Sequence, residues 1–373
     1  MFGKKIIYFD NSATTNTKPA EVQKQCLMAL KNLSANPGRS GHSLSILCAE
    51  KVFEAREKLA AYTGGDKVVF TSNCTEALNL AILSYKQPGG HIVLTENEHN
   101  STLRPTKWMC DNYDMTYSVA RCDSSGIVNA DEIENLIKPN TCLVVCNAIS
   151  NVNGDEADIE NIAKVCKNKN IPLLVDGAQS IGHKKVDYFS LGVNMLAVAP
   201  HKGLYAMQGV GALVVDEGAH LRPLKFGGTG TSSLDLLQPA DIPEGFECGT
   251  LPSANIFSVS AGIDFVEQNQ SRIESTLKEL TRIAISGLVD LGYDVYTKRE
   301  NGVVAFNHKM HDSSIVSDYL NTNNICTRGG LHCAPIKHMA LGTTKKGAVR
   351  VSFSVFNTQN EVEEFLQVMK KLK

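Results

Sequence analysis

Two short motifs near the middle of the chain carry side chains suited to carbonyl chemistry. Lys202 follows an apolar, strand-like run over residues 193–199 and precedes Gly203, a position that can place an ammonium group inside a cleft. A lysine in such a cleft can lose its proton and form a Schiff base with a carbonyl cofactor. Upstream, the apolar run 171–175 ends in Asp176. A carboxylate at the end of a buried strand suits the ring nitrogen of pyridoxal phosphate (PLP). Together the two motifs predict a PLP enzyme.

A polar turn offers a place for the phosphate group of this cofactor. Residues 67–70 are strand-like, and the helix that follows opens near Thr75, with Glu76 in its first turn. The amide groups and the positive dipole at a helix N-terminus attract anions. An ordinary helix cap has the same composition, so this segment by itself does not distinguish a phosphate site from a cap.

Cys333 is the candidate nucleophile among the eleven cysteines of the chain. It lies in a loop over residues 328–335 that contains two glycines and ends in a proline, which argues against a position in the core. We expect Arg328 and His332 to supply positive charge that favours the thiolate, the reactive form of a cysteine. Cys326, on the strand-like run before the loop, is the only competitor nearby in the sequence.

The elements that must position these residues alternate between strand and helix from about residue 66 to 215. This alternation predicts an α/β fold with a mostly parallel sheet covered by helices on both faces. A long loop over residues 226–250 follows, and short strands and helices then form a smaller α+β unit. Helices are expected over residues 19–33, 43–62, 158–166, 253–269, 272–291 and 359–372.

The chain of 373 residues is long enough for a large and a small domain. We predict an N-terminal arm over residues 1–15, a large PLP-binding domain over 16–255, and a small C-terminal domain over 256–373 that carries the cysteine loop. The hydrophobic content of 43% is ample for a substantial core.

Composition and charge exclude several classes of partner. With a formal net charge of -2, the chain has no electrostatic reason to bind nucleic acid or an anionic membrane. No apolar run is long enough to span a membrane, and the apolar start is too short for a secretion signal. Eleven cysteines in such a chain indicate reduced thiols and a cytoplasmic location rather than a disulfide framework. No metal site is predicted.

Beyond these single motifs, the chain resembles the cysteine desulfurase and selenocysteine lyase branch of the class V aminotransferase superfamily, which has PLP-dependent fold type I. The resemblance covers nearly the whole chain, and its specificity comes from the order and spacing of short motifs. These are YFDNSATT at 8–15, TEALN at 75–79, EHN at 98–100, SNVNG at 150–154, DGAQ at 176–179, HK at 201–202, CGT at 248–250, RGGLHCAP at 328–335 and RVS at 350–352. The compact cysteine loop is similar to that of the short-catalytic-loop group.

The resemblance implies how the cofactor is held. Lys202 would carry PLP, His99 would stack on its ring and pass protons, and Asp176 would pair with the ring nitrogen. Gln179 would donate to the phenolic oxygen, and Asn151 would touch the same edge. The phosphate would be bound by Cys74, Thr75, His201 and, across a homodimer interface, Thr250 of the partner subunit.

The resemblance also implies a substrate and a reaction. Arg350 would clamp the α-carboxylate of L-cysteine beside Asn151, with Arg39 and Arg328 at the entrance. Cys333 would attack the substrate sulfur, release alanine and pass a persulfide to a thiol or an acceptor protein. Two alternatives stay open: a selenocysteine lyase, acting on L-selenocysteine, and an aminotransferase or β-lyase of the same fold in which Cys333 is incidental.

The chain departs from the family pattern at one place. Relatives carry a hydroxyl residue two positions before the His-Lys pair, where it binds the phosphate, but this chain has Ala199 followed by Pro200. Either the phosphate is held less tightly, or Thr229 or Thr231 compensates.

Overall fold

The computed structural model describes residues 5–230 and 234–372. In chain order, the strands are β1 (Ile7–Tyr8), β2 (Lys67–Thr71), β3 (His91–Thr95), β4 (Thr116–Ala120), β5 (Ile127–Val128), β6 (Thr141–Asn147), β7 (Glu156–Ala157), β8 (Leu173–Asp176), β9 (Met195–Val198), β10 (Gly211–Val215), β11 (Asp294–Val295), β12 (Val303–Asn307), β13 (Ile325–Cys326), β14 (Arg328–Gly330) and β15 (Ala348–Ser352). The helices are α1 (Ala20–Asn32), α2 (Ser43–Thr63), α3 (Cys74–Ser84), α4 (Asn100–Tyr113), α5 (Ala130–Leu136), α6 (Ile159–Lys169), α7 (Ser253–Asp290), α8 (Ser313–Thr322), α9 (Pro335–Ala340) and α10 (Gln359–Met369).

A seven-stranded sheet forms the centre of the large domain, in the order β2-β10-β9-β8-β6-β3-β4. Its neighbouring strands are parallel except where β10 pairs with β2 and β9. Strands β3, β8, β9 and β10 are buried along their full length. Their apolar side chains are therefore covered on both faces of the sheet, which explains their unbroken hydrophobic runs. The predicted α/β fold with a mostly parallel sheet is confirmed.

One long helix, α7, replaces the two helices that were predicted over residues 253–269 and 272–291. The residues at the expected break, Asn269 and Gln270, are polar but do not disrupt a helix. Val266 and Ile273 on either side of them are buried, so the helix packs against the core through this region. The prediction of two helices is therefore wrong, because polar residues within one continuous helix were interpreted as an interruption.

The C-terminal part of the chain contains a second sheet, with strand order β11-β12-β15-β14. The N-terminal segment joins this part, because β1 pairs in parallel with β13 and Phe9 packs edge-to-face against Phe353 at a centroid distance of 5.1 Å. The cysteine loop connects β14 to α9. Strand pairing thus places the loop at the boundary with the large domain.

Among the helices of the described residues, none combines the length and the apolar composition that crossing a membrane requires.

Candidate active site

Eight of the predicted site residues line one cavity of about 110 Å³. The parallel strands bring them together: β2, β3, β6, β8 and β9 all end at the same edge of the sheet, and the residues follow those ends. This edge is where ligands bind in open α/β sheets. The eight residues are Cys74, Thr75, His99, Asn151, Asp176, Gln179, His201 and Lys202.

Lys202 and Asp176 both line this cavity and interact electrostatically. Asp176 is the last residue of β8 and accepts a hydrogen bond from the Ala178 amide at 2.9 Å. Burial raises the pKa of Asp176 and lowers the pKa of Lys202, while their mutual attraction opposes both effects. A Cβ on Gly203 would lie 2.1 Å from the Ile181 carbonyl oxygen, so only glycine lets the lysine segment approach this closely. The result is an ammonium that loses its proton more easily than a surface lysine.

The N-termini of two helices, α3 and α4, meet at one end of the cavity. Asn73 caps α3 by accepting from the Glu76 amide at 2.9 Å, and a Cβ on Gly211 would clash with the Asn73 backbone at 2.2 Å. Glycine at 211 therefore allows the anion-binding turn to rest on β10. The Thr75 hydroxyl lies 3.4 Å from the Ser101 hydroxyl in the first turn of α4. Ser101 was not predicted from the sequence, although its position directly after the EHN motif was a usable signal.

His99 forms a wall of the cavity and is neutral. Its Nδ1 accepts from the Ser101 amide at 3.1 Å and is bonded to the Ser101 hydroxyl at 2.5 Å. Burial, together with the positive charge of Lys202, lowers the pKa of His99 to about 4. An uncharged imidazole with its ring held by the helix cap suits stacking on a flat ligand.

Two amide side chains present unpaired acceptors. Asn151 donates through Nδ2 to the His332 carbonyl at 2.8 Å, and Gln179 donates through Nε2 to the Ser12 carbonyl at 2.9 Å. Asn151 Oδ1 and Gln179 Oε1 are buried and find no partner among the residues described. The predicted donation from Gln179 to the cofactor stays a prediction, since its amide nitrogen is bound to Ser12 here. Buried acceptors without partners are costly, and a bound ligand would relieve that cost.

Arg350 lies behind Asn151 and is fully buried. Its Nη1 donates to the Asn151 carbonyl at 2.9 Å, and its Nη2 forms an ion pair with Asp10 at 2.5 Å. Burial lowers the pKa of Arg350, and Asp10 opposes that effect. Asp10 was missed as a site residue, although it lies within the YFDNSATT motif.

Cys333 lines a second, outer cavity of about 470 Å³. The outer cavity shares Thr75, His99 and Ser101 with the inner one, so His99 stands between the cysteine and Lys202. The Arg328 Nη2 lies 4.0 Å from the Cys333 sulfur. The positively charged guanidinium is therefore placed as predicted.

The prediction that His332 supplies positive charge is wrong. His332 is buried, and burial holds its pKa well below the ordinary value. Its Nε2 is bonded to the Arg328 carbonyl at 3.1 Å, and a carbonyl can only accept. Nδ1 therefore carries the lone pair and accepts from His338 Nε2 at 3.3 Å. Within this loop, Arg328 carries the charge.

Arg39 and Thr250 do not reach the inner cavity of their own chain. Arg39 donates through Nη2 to the carbonyls of Gly228 at 2.8 Å and Gly249 at 2.6 Å, beside a separate cavity of about 500 Å³ that Thr229 also lines. Thr250 is exposed next to Gly249. The role of Arg39 at the active-site entrance stays a prediction, and so does the role of Thr250 at the phosphate of the partner subunit. Thr231 lies outside the described residues.

A comparison with known families decides what kind of protein carries this site. The model of the aminotransferase class-V family matches residues 7–365. The chain belongs to this family. Among curated class-V relatives, a probable cysteine desulfurase of Methanothermobacter thermautotrophicus is 33% identical, with 96% of this chain and 92% of that protein covered. A probable cysteine desulfurase of Borreliella burgdorferi is 30% identical, with 99% and 92% covered.

Among solved structures, the apo structure of the cysteine desulfurase from Thermococcus onnurineus is similar to this chain, with a TM-score of 0.92 and 32% identity. The match covers 98% of this chain and 94% of that one. The class-V family is PLP-dependent. The inner cavity fits that cofactor, because it offers a lysine of lowered pKa, a buried carboxylate, two helix N-termini and two unpaired amide oxygens.

Proposed function

We propose that this protein is a PLP-dependent cysteine desulfurase, which converts L-cysteine to L-alanine and retains the sulfur as a persulfide on Cys333. One observation carries the proposal beyond family membership: Cys333 lines the cavity that directly adjoins the lysine cavity. An aminotransferase or β-lyase needs no thiol in that place. The curated relatives named above are probable cysteine desulfurases, which supports the same activity.

The inner cavity would hold the cofactor in one orientation. The phosphate group would lie at the N-termini of α3 and α4, on the hydroxyls of Thr75 and Ser101, with Ser101 supplying the hydroxyl that Ala199 lacks. The ring would lie against His99, and its nitrogen would face Asp176. When bound, PLP supplies an electron sink that acidifies the Cα hydrogen of an amino acid.

The protein groups would then divide the reaction between them. Lys202, whose pKa is lowered, removes the Cα proton and returns it. Arg350 orients the substrate carboxylate, which has to share the guanidinium with Asp10. The Cys333 thiolate forms a bond to the substrate sulfur while the carbon–sulfur bond breaks. The electron pair of that bond stays with the alanine fragment, which takes up a proton.

Exposed apolar side chains support assembly with a second copy of the chain. Phe226 is 75% exposed, and both Leu234 and Leu236 are 100% exposed. They lie on the long segment between β10 and α7 that also carries Thr250. Groups of apolar side chains that are exposed to solvent are typical of interaction surfaces. The proposed homodimer would bury them and bring Thr250 of the partner subunit to the phosphate.

The eleven cysteines are all unpaired, which suits a reducing compartment such as the cytoplasm. A thiol or a protein acceptor would accept the persulfide sulfur there.

Incubation with L-cysteine tests the proposal, with alanine and sulfide measured in the presence of a reducing thiol. We expect wild type and a Cys326→Ala control to form both products, and Cys333→Ala to form neither at a significant rate. Full activity of Cys333→Ala would contradict the desulfurase function. The same variant on L-selenocysteine tests the lyase alternative, because selenium leaves more readily and needs the thiol less.

A further inference from the structure

The backbone of the cysteine loop adopts a conformation that its own residues do not favour. His332 and Cys333 have φ angles of 50° and 58°, in the left-handed region that residues other than glycine rarely adopt. Such a conformation persists only when surrounding contacts determine it. Two backbone contacts come from the cavity wall: Asn151 Nδ2 donates to the His332 carbonyl at 2.8 Å, and the Asn100 amide donates to the Cys333 carbonyl at 2.7 Å.

A third contact lies one turn beyond the cysteine, at Lys337 in α9. The side chain of Lys337 is only 1% exposed, and its Nζ lies 2.8 Å from Glu96 Oε1 and 2.7 Å from Asp155 Oδ2. The Cys122 sulfur is 3.4 Å away. The ammonium group therefore lies among two carboxylates, Glu96 and Asp155, and the Cys122 thiol. Burial would lower the pKa of Lys337, but the charge of Asp155 and its neighbours raises it overall.

The two carboxylates belong to the same segments that hold the loop backbone. Glu96 lies on the turn that leads from β3 to His99 and Asn100. Asp155 ends a second turn, which begins at Ser150 and contains Asn151. In that turn the Ser150 amide donates to the Asp155 carbonyl at 2.7 Å. Lys337 is thus attached to both cavity walls at once. It lines neither cavity and touches no reacting atom.

We infer that Lys337, through Glu96 and Asp155, is the positioning residue that holds the Cys333 sulfur within reach of the substrate; this inference rests on the proposed desulfurase function. A buried ion pair is weak as a source of stability, because desolvation offsets much of the attraction. It is strong as a geometric restraint, because two short charge-assisted hydrogen bonds fix the direction of approach. An apolar residue of similar size would fill the space without fixing the loop.

The variant Lys337→Met tests the inference, since it keeps the length of the side chain and removes the charge. L-alanine separates proton transfer at Cα from attack on sulfur. Exchange of its Cα hydrogen in heavy water needs Lys202, but L-alanine has no sulfur atom for Cys333 to attack. We expect persulfide formation from L-cysteine to fall about 10- to 100-fold, as a displacement of about 1 Å would cause. Cα exchange should stay at the wild-type rate.

Alkylation of Cys333 by iodoacetamide gives a readout independent of turnover. Loosening of the loop should make alkylation of the Lys337→Met holoenzyme faster than that of wild type. Lys345→Met, which replaces an exposed lysine between α9 and β15, is the matched control and should leave all three measurements unchanged. If Lys337→Met does not fold, Asp155→Asn should give the same separation of persulfide formation from exchange, with a smaller loss.

An equal loss of exchange and persulfide formation would overturn the inference, because Lys337 would then support the fold in general. No change in persulfide formation or alkylation would also overturn it. Absence of a persulfide on wild-type Cys333 after L-cysteine would instead reject the proposed function. In that case the alkylation rates still decide whether Lys337 positions the loop.

Discussion

Glu98 is a buried carboxyl group whose protonation can be tested directly. It is fully buried next to His99, and its Oε1 accepts from the Thr95 hydroxyl and from the Asn147 amide, both at 2.7 Å. Its Oε2 is buried as well. Burial, reinforced by the charge of Asp176, raises the pKa of Glu98 to about 8. At neutral pH, a pKa of about 8 leaves Glu98 mostly protonated.

The size of the effect on stability follows from this difference in proton affinity. The unfolded chain binds the proton with the ordinary pKa of 4.5, and the folded chain binds it with a pKa of about 8, so the folded state holds more protons between these values. A carboxyl whose pKa is raised in the folded state favours folding at low pH. That contribution is lost as pH rises, by about 1.4 kcal/mol per pH unit, or about 5 kcal/mol by pH 8.

The variant Glu98→Gln removes the titration and keeps the shape and the accepting oxygen. We measure the free energy of unfolding of both holoenzymes in urea. Between about pH 5.5 and about pH 7.0, the wild type should lose about 2 kcal/mol of stability relative to the variant. Glu279→Gln, an exposed position on α7, should follow the wild-type pH dependence. If Glu98→Gln and wild type change in parallel with pH, Glu98 is ionised in the folded protein and the reasoning is refuted.

Three further outcomes are expected. Borohydride reduction of the yellow holoenzyme should fix the cofactor to the peptide containing Lys202; the label on another lysine would contradict the assignment. Ser101→Ala should weaken PLP binding by about 1–2 kcal/mol, the contribution of a hydrogen bond to a charged group. In the Ser101→Ala variant, adding Ala199→Ser should restore the affinity for PLP if a hydroxyl at either position can bind the phosphate. Equilibrium dialysis measures the affinity. Replacing Leu234 and Leu236 together by glutamate should shift the protein from dimer to monomer in light scattering, and an unchanged mass would exclude them from the interface.

The order of elements in the large domain was predictable because its physical signals are local. Strands buried on both faces require unbroken apolar runs, and the helices between them require a periodic apolar face. Lys202 and Asp176 were also predictable from the residues themselves, since each follows a buried strand, whereas the other six residues of the inner cavity were expected only from the resemblance to the family. The prediction of two helices in place of α7 had a local cause as well, because polar residues such as Gln270 are compatible with a loop and with the interior of a long helix.

The sequence by itself determined which chemistry this protein carries: a lysine after one strand, a carboxylate at the end of another, and a cysteine in a glycine-rich loop. Only the tertiary structure decided the state of those groups and their neighbours. His332 is neutral because the fold buries it against His338. Lys337 meets Glu96 across 241 positions of the chain, a contact that no local pattern encodes. Burial and long-range charge pairing arise when distant segments pack together, so they are properties of the fold and not of any one segment.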